Sequence, residues 1–145
     1  MLHADLSARQ CRLVELAATG LPGPELASLF ELSHKRVRQC LIDLYRVTGA
    51  EGRMDLAWWH WQTQGRAALT DEARTDARAR FAGLQPGEQV LARLVAERLS
   101  NRDVARCLGV SVKTVCNRLS DTYELLEVPG RVALARLVWE ADLDA

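Results

Sequence analysis

The sequence predicts an all-α protein built from two similar four-helix units, and three observations lead there. Ala, Leu, Arg and Glu dominate the 145 residues, while alternating β-type runs are nearly absent and no Asn-Gly or Asp-Gly hairpin signal occurs. Residues 6–61 align without a gap on residues 84–139 at a constant offset of 78, with 17 identities in 56 positions. Those identities, among them Leu13/Leu91, Leu16/Leu94, Ala27/Ala105, Ser33/Ser111, Val37/Val115, Leu41/Leu119, Tyr45/Tyr123 and Trp61/Trp139, fall mainly on apolar positions three or four apart. Finally, capping and breaking residues punctuate the chain at helix-length intervals. Each unit of about 60 residues is near the lower size at which a core sustains itself, so mutual packing or dimerisation would help both.

The first unit, residues 1–63, opens on Ser7 and Gln10 at capping-box spacing. Its second helix is entered through Leu21-Pro22-Gly23-Pro24, and Glu31 stands where a turn glycine is expected, a substitution costing about 1 kcal/mol if the turn stays left-handed. Ser33 opens the third helix. After Gly52-Arg53 a fourth helix carries Met54, Trp58, Trp59, His60 and Trp61, and Gln62-Thr63-Gln64-Gly65 ends the unit. A linker over 64–83 follows, in which Thr70-Asp71-Glu72 caps an Ala/Arg helix running to Phe81 and solvated on most sides.

The second unit, residues 84–145, is more regular. Pro86 opens helix one, about residues 86–98, with Leu91, Leu94, Val95 and Leu99 on one face. Ser100, with Asp103 three residues on, opens a short helix two over about 101–108. Gly109 suits a left-handed residue, Val110 turns inward, and Ser111 caps helix three, about 111–126. Pro129-Gly130 breaks the chain before a fourth helix ending near Asp142.

A short helix, a glycine turn and a capped longer helix form a helix-turn-helix, whose second member projects its N-terminal half outward. The fold expected is therefore two tandem four-helix helix-turn-helix domains joined by a helical linker. Glu88, Ser100, Asn101, Asp103, Val104, Ala105, Leu108, Gly109, Val110, Ser111, Thr114, Val115 and Arg131 carry a resemblance to the DNA-binding domain of the LuxR/GerE family, covering residues 84–141; the first copy is more divergent. Cys116 and Arg118 depart from the Lys and His usual there. The resemblance implies a sequence-specific duplex-DNA-binding transcriptional regulator of bacterial type, with the start of helix three at the groove. In the first copy that start offers His34, Lys35, Arg36, Arg38 and Gln39; in the second it offers Lys113, Thr114, Cys116, Asn117 and Arg118. Arg38/Cys116 and Gln39/Asn117 would face the groove floor, where Arg suits guanine and Gln or Asn suits adenine. In the family the last helix commonly makes a dimer contact, so Trp58, Trp59 and Trp61 are candidate interface residues, with core packing as the other reading.

Net charge is zero, so bulk electrostatics gives no push toward nucleic acid and DNA affinity has to come from local clusters. The four cysteines form no CxxC pair and the histidines, His3, His34 and His60, lie at no ligand or triad spacing. No phosphate loop or nucleophile elbow occurs, which predicts no catalysis, no metal and no cofactor. No leader-like segment opens the chain and no apolar run approaches membrane-spanning length, which predicts a soluble cytoplasmic protein. Two copies filling 145 residues leave no room for a sensory domain, so control is expected from expression level, dimerisation or a protein partner. The zero charge, Glu31, Cys116 and the tryptophans also suit a second reading: a protein-interaction adaptor that keeps the fold and acts on another regulator or on RNA polymerase.

Overall fold

The computed structural model describes residues 5–143, and every regular element among them is helical. The expected domain limits at residues 1 and 145, and His3, lie outside the described residues. The chain divides into two compact units, Met1–Ala67 and Ala68–Ala145.

In unit 1, α1 (Ala8–Ala18) starts from a reciprocal cap in which Ser7 Oγ accepts from Gln10 N at 3.1 Å and Gln10 Oε1 accepts from Ser7 N at 2.9 Å. Helix α2 (Gly23–Phe30) has no side-chain cap; Pro22 precedes it and Pro24 sits in its first turn, where a missing N–H costs nothing. Helix α3 (His34–Thr48) begins at Ser33, whose Oγ accepts from Arg36 N. Helix α4 (Arg53–His60) packs against α1. Leu13, Val14, Ala17, Leu26, Val37, Leu41, Leu44, Leu56 and Trp59 form the core of this unit, drawing at least one residue from each helix. The first unit ends at Ala67, close after the Gln62–Gly65 expected to end it, but the helix does not break there: the chain passes from α4 through a π-helical turn, Trp61–Gly65, into a short α5 (Arg66–Ala68). Thr63 Oγ1 donates back to the Trp59 carbonyl at 2.9 Å, one way in which a helix keeps its carbonyls satisfied through an irregular turn.

In unit 2, α6 (Asp71–Ala82) is capped by Thr70 as expected but does not stand apart as a linker. It packs on α10 (Arg131–Ala141), burying Ala77 and Phe81, while Arg78 donates from Nε to the Ala141 carbonyl at 2.6 Å and from Nη2 to the Asp142 carbonyl at 3.0 Å. Those carbonyls are the unpaired end of α10, and a guanidinium there both bonds them and complements the helix dipole. Helices α7 (Pro86–Ala96), α8 (Asn101–Leu108) and α9 (Val112–Leu126) complete the unit.

The bounds of α7, α8 and α9 are those of α1, α2 and α3 plus 78, and α10 starts 78 residues after α4. Three left-handed positions share this register, and at each of them one unit has glycine and the other a charged residue: Gly20 and Arg98, Glu31 and Gly109, Gly49 and Glu127. Glu31, at φ 53°, thus keeps the turn that Gly109 makes at φ 68°. Helix one of unit 2 stops at Ala96, short of the expected 98, because Arg98 has already turned left-handed. A second shared device lies at Gly52-Arg53 and Gly130-Arg131. Arg53 donates to the carbonyls of Ala17 (3.2 Å) and Leu21, and Arg131 to the carbonyl of Leu99 and to Asn101 Oδ1, tying the start of helix four to the stretch from the end of helix one to the start of helix two. Half-burial raises the pKa of Tyr45 and of Tyr123, and the adjacent Arg53 and Arg131 oppose that rise.

Candidate nucleic-acid interface

Helices α2 and α3 pack on each other across the left-handed turn at Glu31, as α8 and α9 do across Gly109. In each pair the longer helix turns Val37 and Leu41, or Val115 and Leu119, into the core, with the valines at most 1% exposed. An amphipathic helix anchored through these positions leaves the residues between them outside. His34, Lys35, Arg36, Arg38 and Gln39 are all exposed on the first two turns of α3, and Lys113, Cys116, Asn117 and Arg118 on those of α9. Thr114 is half-buried, its hydroxyl 2.9 Å from Ser111 Oγ, so it belongs to the cap as much as to the surface.

The two surfaces differ in how their side chains are held. Among the described residues Lys35, Arg36, Arg38, Lys113 and Arg118 form no ion pair, so their charge is available to an external anion. Gln39 Nε2 donates to Asp43 Oδ1 at 3.0 Å along its own helix and would have to release that bond to read a base. The His34 ring lies over the start of α2: a Cβ added at Gly23 would meet its Nε2 at 2.7 Å. In unit 2 the position of Gly23 is Asn101, whose Nδ2 reaches Cys116 Sγ at 3.5 Å while its Oδ1 accepts from Arg131.

A further cation, Arg9, was not apparent from the sequence because it lies on α1. Its guanidinium sits 5.6 Å from the centroid of the Phe30 ring and donates to the Phe30 carbonyl at 3.3 Å. With Ser7, Gln10, Arg36 and Asp43 it borders a groove of about 390 Å³ beside α3. The only cue in the sequence would have been its place in the first turn of a capped helix.

The three tryptophans do not form an exposed patch. Trp59 belongs to the core of unit 1 at 7% exposure, Trp61 is 2% exposed and Trp58 is half-buried. The expectation of an interface is therefore corrected for Trp59, whose ring is already spent on its own unit. Residues 58 and 59 are 100° apart on a helix, so when Leu56 and Trp59 face inward Trp58 turns away.

The chain is similar to a protein of Mycobacterium tuberculosis (strain H37Rv) named as a candidate HTH-type transcriptional regulator, 36% identical over 107 residues. It is similar also to a protein of Mycobacterium bovis of the same description, 35% identical over 107 residues. In both cases the match covers 66% of this chain but only 12% of the relative, so the chain spans a small part of the relatives' length. No family model matches the chain, and no solved structure does. Among the described residues no helix is long and apolar enough to cross a membrane, and no group of His, Cys, Asp and Glu could hold a metal ion.

Proposed function

We propose that this chain is a sequence-specific duplex-DNA-binding module of a transcriptional regulator, with two tandem helix-turn-helix units of LuxR/GerE type. The observation that carries the reading is the start of α3: Lys35, Arg36 and Arg38 exposed without ion-pair partners among the described residues, on a helix whose Val37 and Leu41 anchor it to the core. A helix so held can enter a major groove as a rigid body, with Lys35 and Arg36 on phosphates and Arg38 on a base edge. The relatives' names point the same way. Neutral net charge limits the phosphate contacts to a few per unit, so nonspecific affinity is weak and specificity has to come from the groove. This role needs no catalytic group, and it places the working protein with DNA, in the cytoplasm of a bacterial cell.

The test is binding of the full chain to duplexes selected from a random pool, measured against salt. A selected motif, a log–log salt slope of a few units and at least a tenfold loss for Arg36→Ala/Arg38→Ala support the reading. Affinity unchanged by that double substitution refutes it. Failure to select any duplex would leave the adaptor reading, with another regulator or RNA polymerase as the partner.

A further inference from the structure

Register for register, α3 and α9 present chemically opposite faces. Residues four apart lie one above the other on a helix, so His34 and Arg38 form one exposed pair and Val112 and Cys116 the other, at the same two positions. In unit 1 the pair is basic, with Lys35 next to it. In unit 2 it is apolar and soft: Val112 is 43% exposed, and Cys116 is held by Asn101, which Arg131 holds in turn. Asn117 follows, exposed. Lys113 lies next to this patch and Arg118 on the far edge of the exposed arc of α9, and both are cations without ion-pair partners among the described residues.

An exposed apolar pair with a cation beside it, on a helix face that carries a second cation at its far edge, matches one surface in particular. A DNA major groove places thymine C5-methyl groups on its floor and phosphates along both rims, and apolar side chains recognise thymine by that methyl. Arginine at the same register is suited instead to the O6 and N7 of guanine. We infer that the two units read unlike half-sites: unit 1 one containing a G·C pair read by Arg38, and unit 2 one rich in A·T pairs, with Val112 and Cys116 on thymine methyls and Asn117 on adenine. This rests on the DNA-binding reading above and makes the site of one chain asymmetric. Asn101 and Arg131 are positioning residues in it, holding the Cys116 thiol in one rotamer.

The inference is tested with the full chain and the duplexes selected for it. Two distinct elements should be enriched, one with an invariant G·C pair and one with thymines. Replacing those thymines by uracil, which removes only the methyl, should weaken binding about fourfold per methyl. Val112→Ser with Cys116→Ser should bind the thymine and uracil duplexes alike, and uracil in the other element should change nothing. Cys116→Arg should move the second element toward a G·C pair at one position, while Arg38→Ala should relax the first and leave the second. These positions are exposed, so each variant should keep the wild-type melting temperature within a few degrees. Selection of two like elements, or equal affinity for thymine and uracil, overturns the inference and leaves DNA binding standing. No enrichment at any salt overturns the DNA-binding reading itself.

Discussion

A glycine-to-alanine substitution should have opposite signs at two exposed positions of unit 2, for a reason that lies wholly in the backbone. A Cβ added at Gly109 or at Gly87 would meet no atom within 4 Å, so neither substitution creates a clash. Gly109 follows α8 at φ 68°, whereas Gly87 lies inside the first turn of α7. Holding an L-residue in the left-handed region costs about 1–2 kcal/mol. Alanine also narrows the unfolded ensemble, which returns about 0.4–1 kcal/mol, so Gly109→Ala should destabilise unit 2 by about 1 kcal/mol net. Gly87→Ala incurs no such strain and should stabilise by about 0.5–1 kcal/mol. At this size the two variants should melt on either side of wild type and differ by about 6–16 °C. Thermal unfolding followed by far-ultraviolet circular dichroism reads the difference. Midpoints displaced in the same direction would refute the argument, because space and exposure are matched and only φ differs.

The reciprocal changes Glu31→Gly and Glu127→Gly relieve left-handed strain but loosen the unfolded chain, so each should leave stability unchanged or raise it by up to ~1 kcal/mol in urea titration. Removing either serine cap of the longer helices, Ser33→Ala or Ser111→Ala, should cost about 1 kcal/mol in the same titration. Arg131→Met removes the donors to the Leu99 carbonyl and to Asn101, and should cost about 1.5–3 kcal/mol as hydrogen bonds from a charged group. The raised pKa values of Tyr45 and Tyr123 favour the protonated phenol in the folded state. Their contribution is thus complete below the ordinary tyrosine value near 10 and is lost as pH rises through the higher folded values. Melting temperature should fall above pH 10, and Tyr45→Phe/Tyr123→Phe should flatten that fall.

The helix starts were legible in the sequence because capping is local: Ser7, Ser33, Thr70, Ser100 and Ser111 each bond an amide three residues on. Gly109 was legible for the same reason. Arg98 and Glu127 were not, since a charged residue carries no mark of left-handed backbone, and only the register shared with Gly20 and Gly49 exposes them. The docking of α6 on α10 was hidden because it depends on Ala77, Phe81 and an arginine bonding carbonyls, a pattern with no apolar stripe. Continuation past Gly65 was hidden because glutamines, a threonine and a glycine read as a break, while a π-turn accepts them. At the candidate interface the basic cluster could be read directly. The tie from Arg131 through Asn101 to Cys116 could not, because its members lie 15 and 30 residues apart.

The arginine after each inter-helix glycine has a consequence for the order in which the protein is made. Arg53 bonds carbonyls 32 and 36 residues behind it, and Arg131 does the same 32 residues back. A nascent chain ending between residues 48 and 52 therefore carries the whole α2–α3 pair and still lacks the donor that fixes the entrance to α2. The helix pair is finished from behind, so each unit should become protease-resistant on the ribosome only after its fourth helix has emerged.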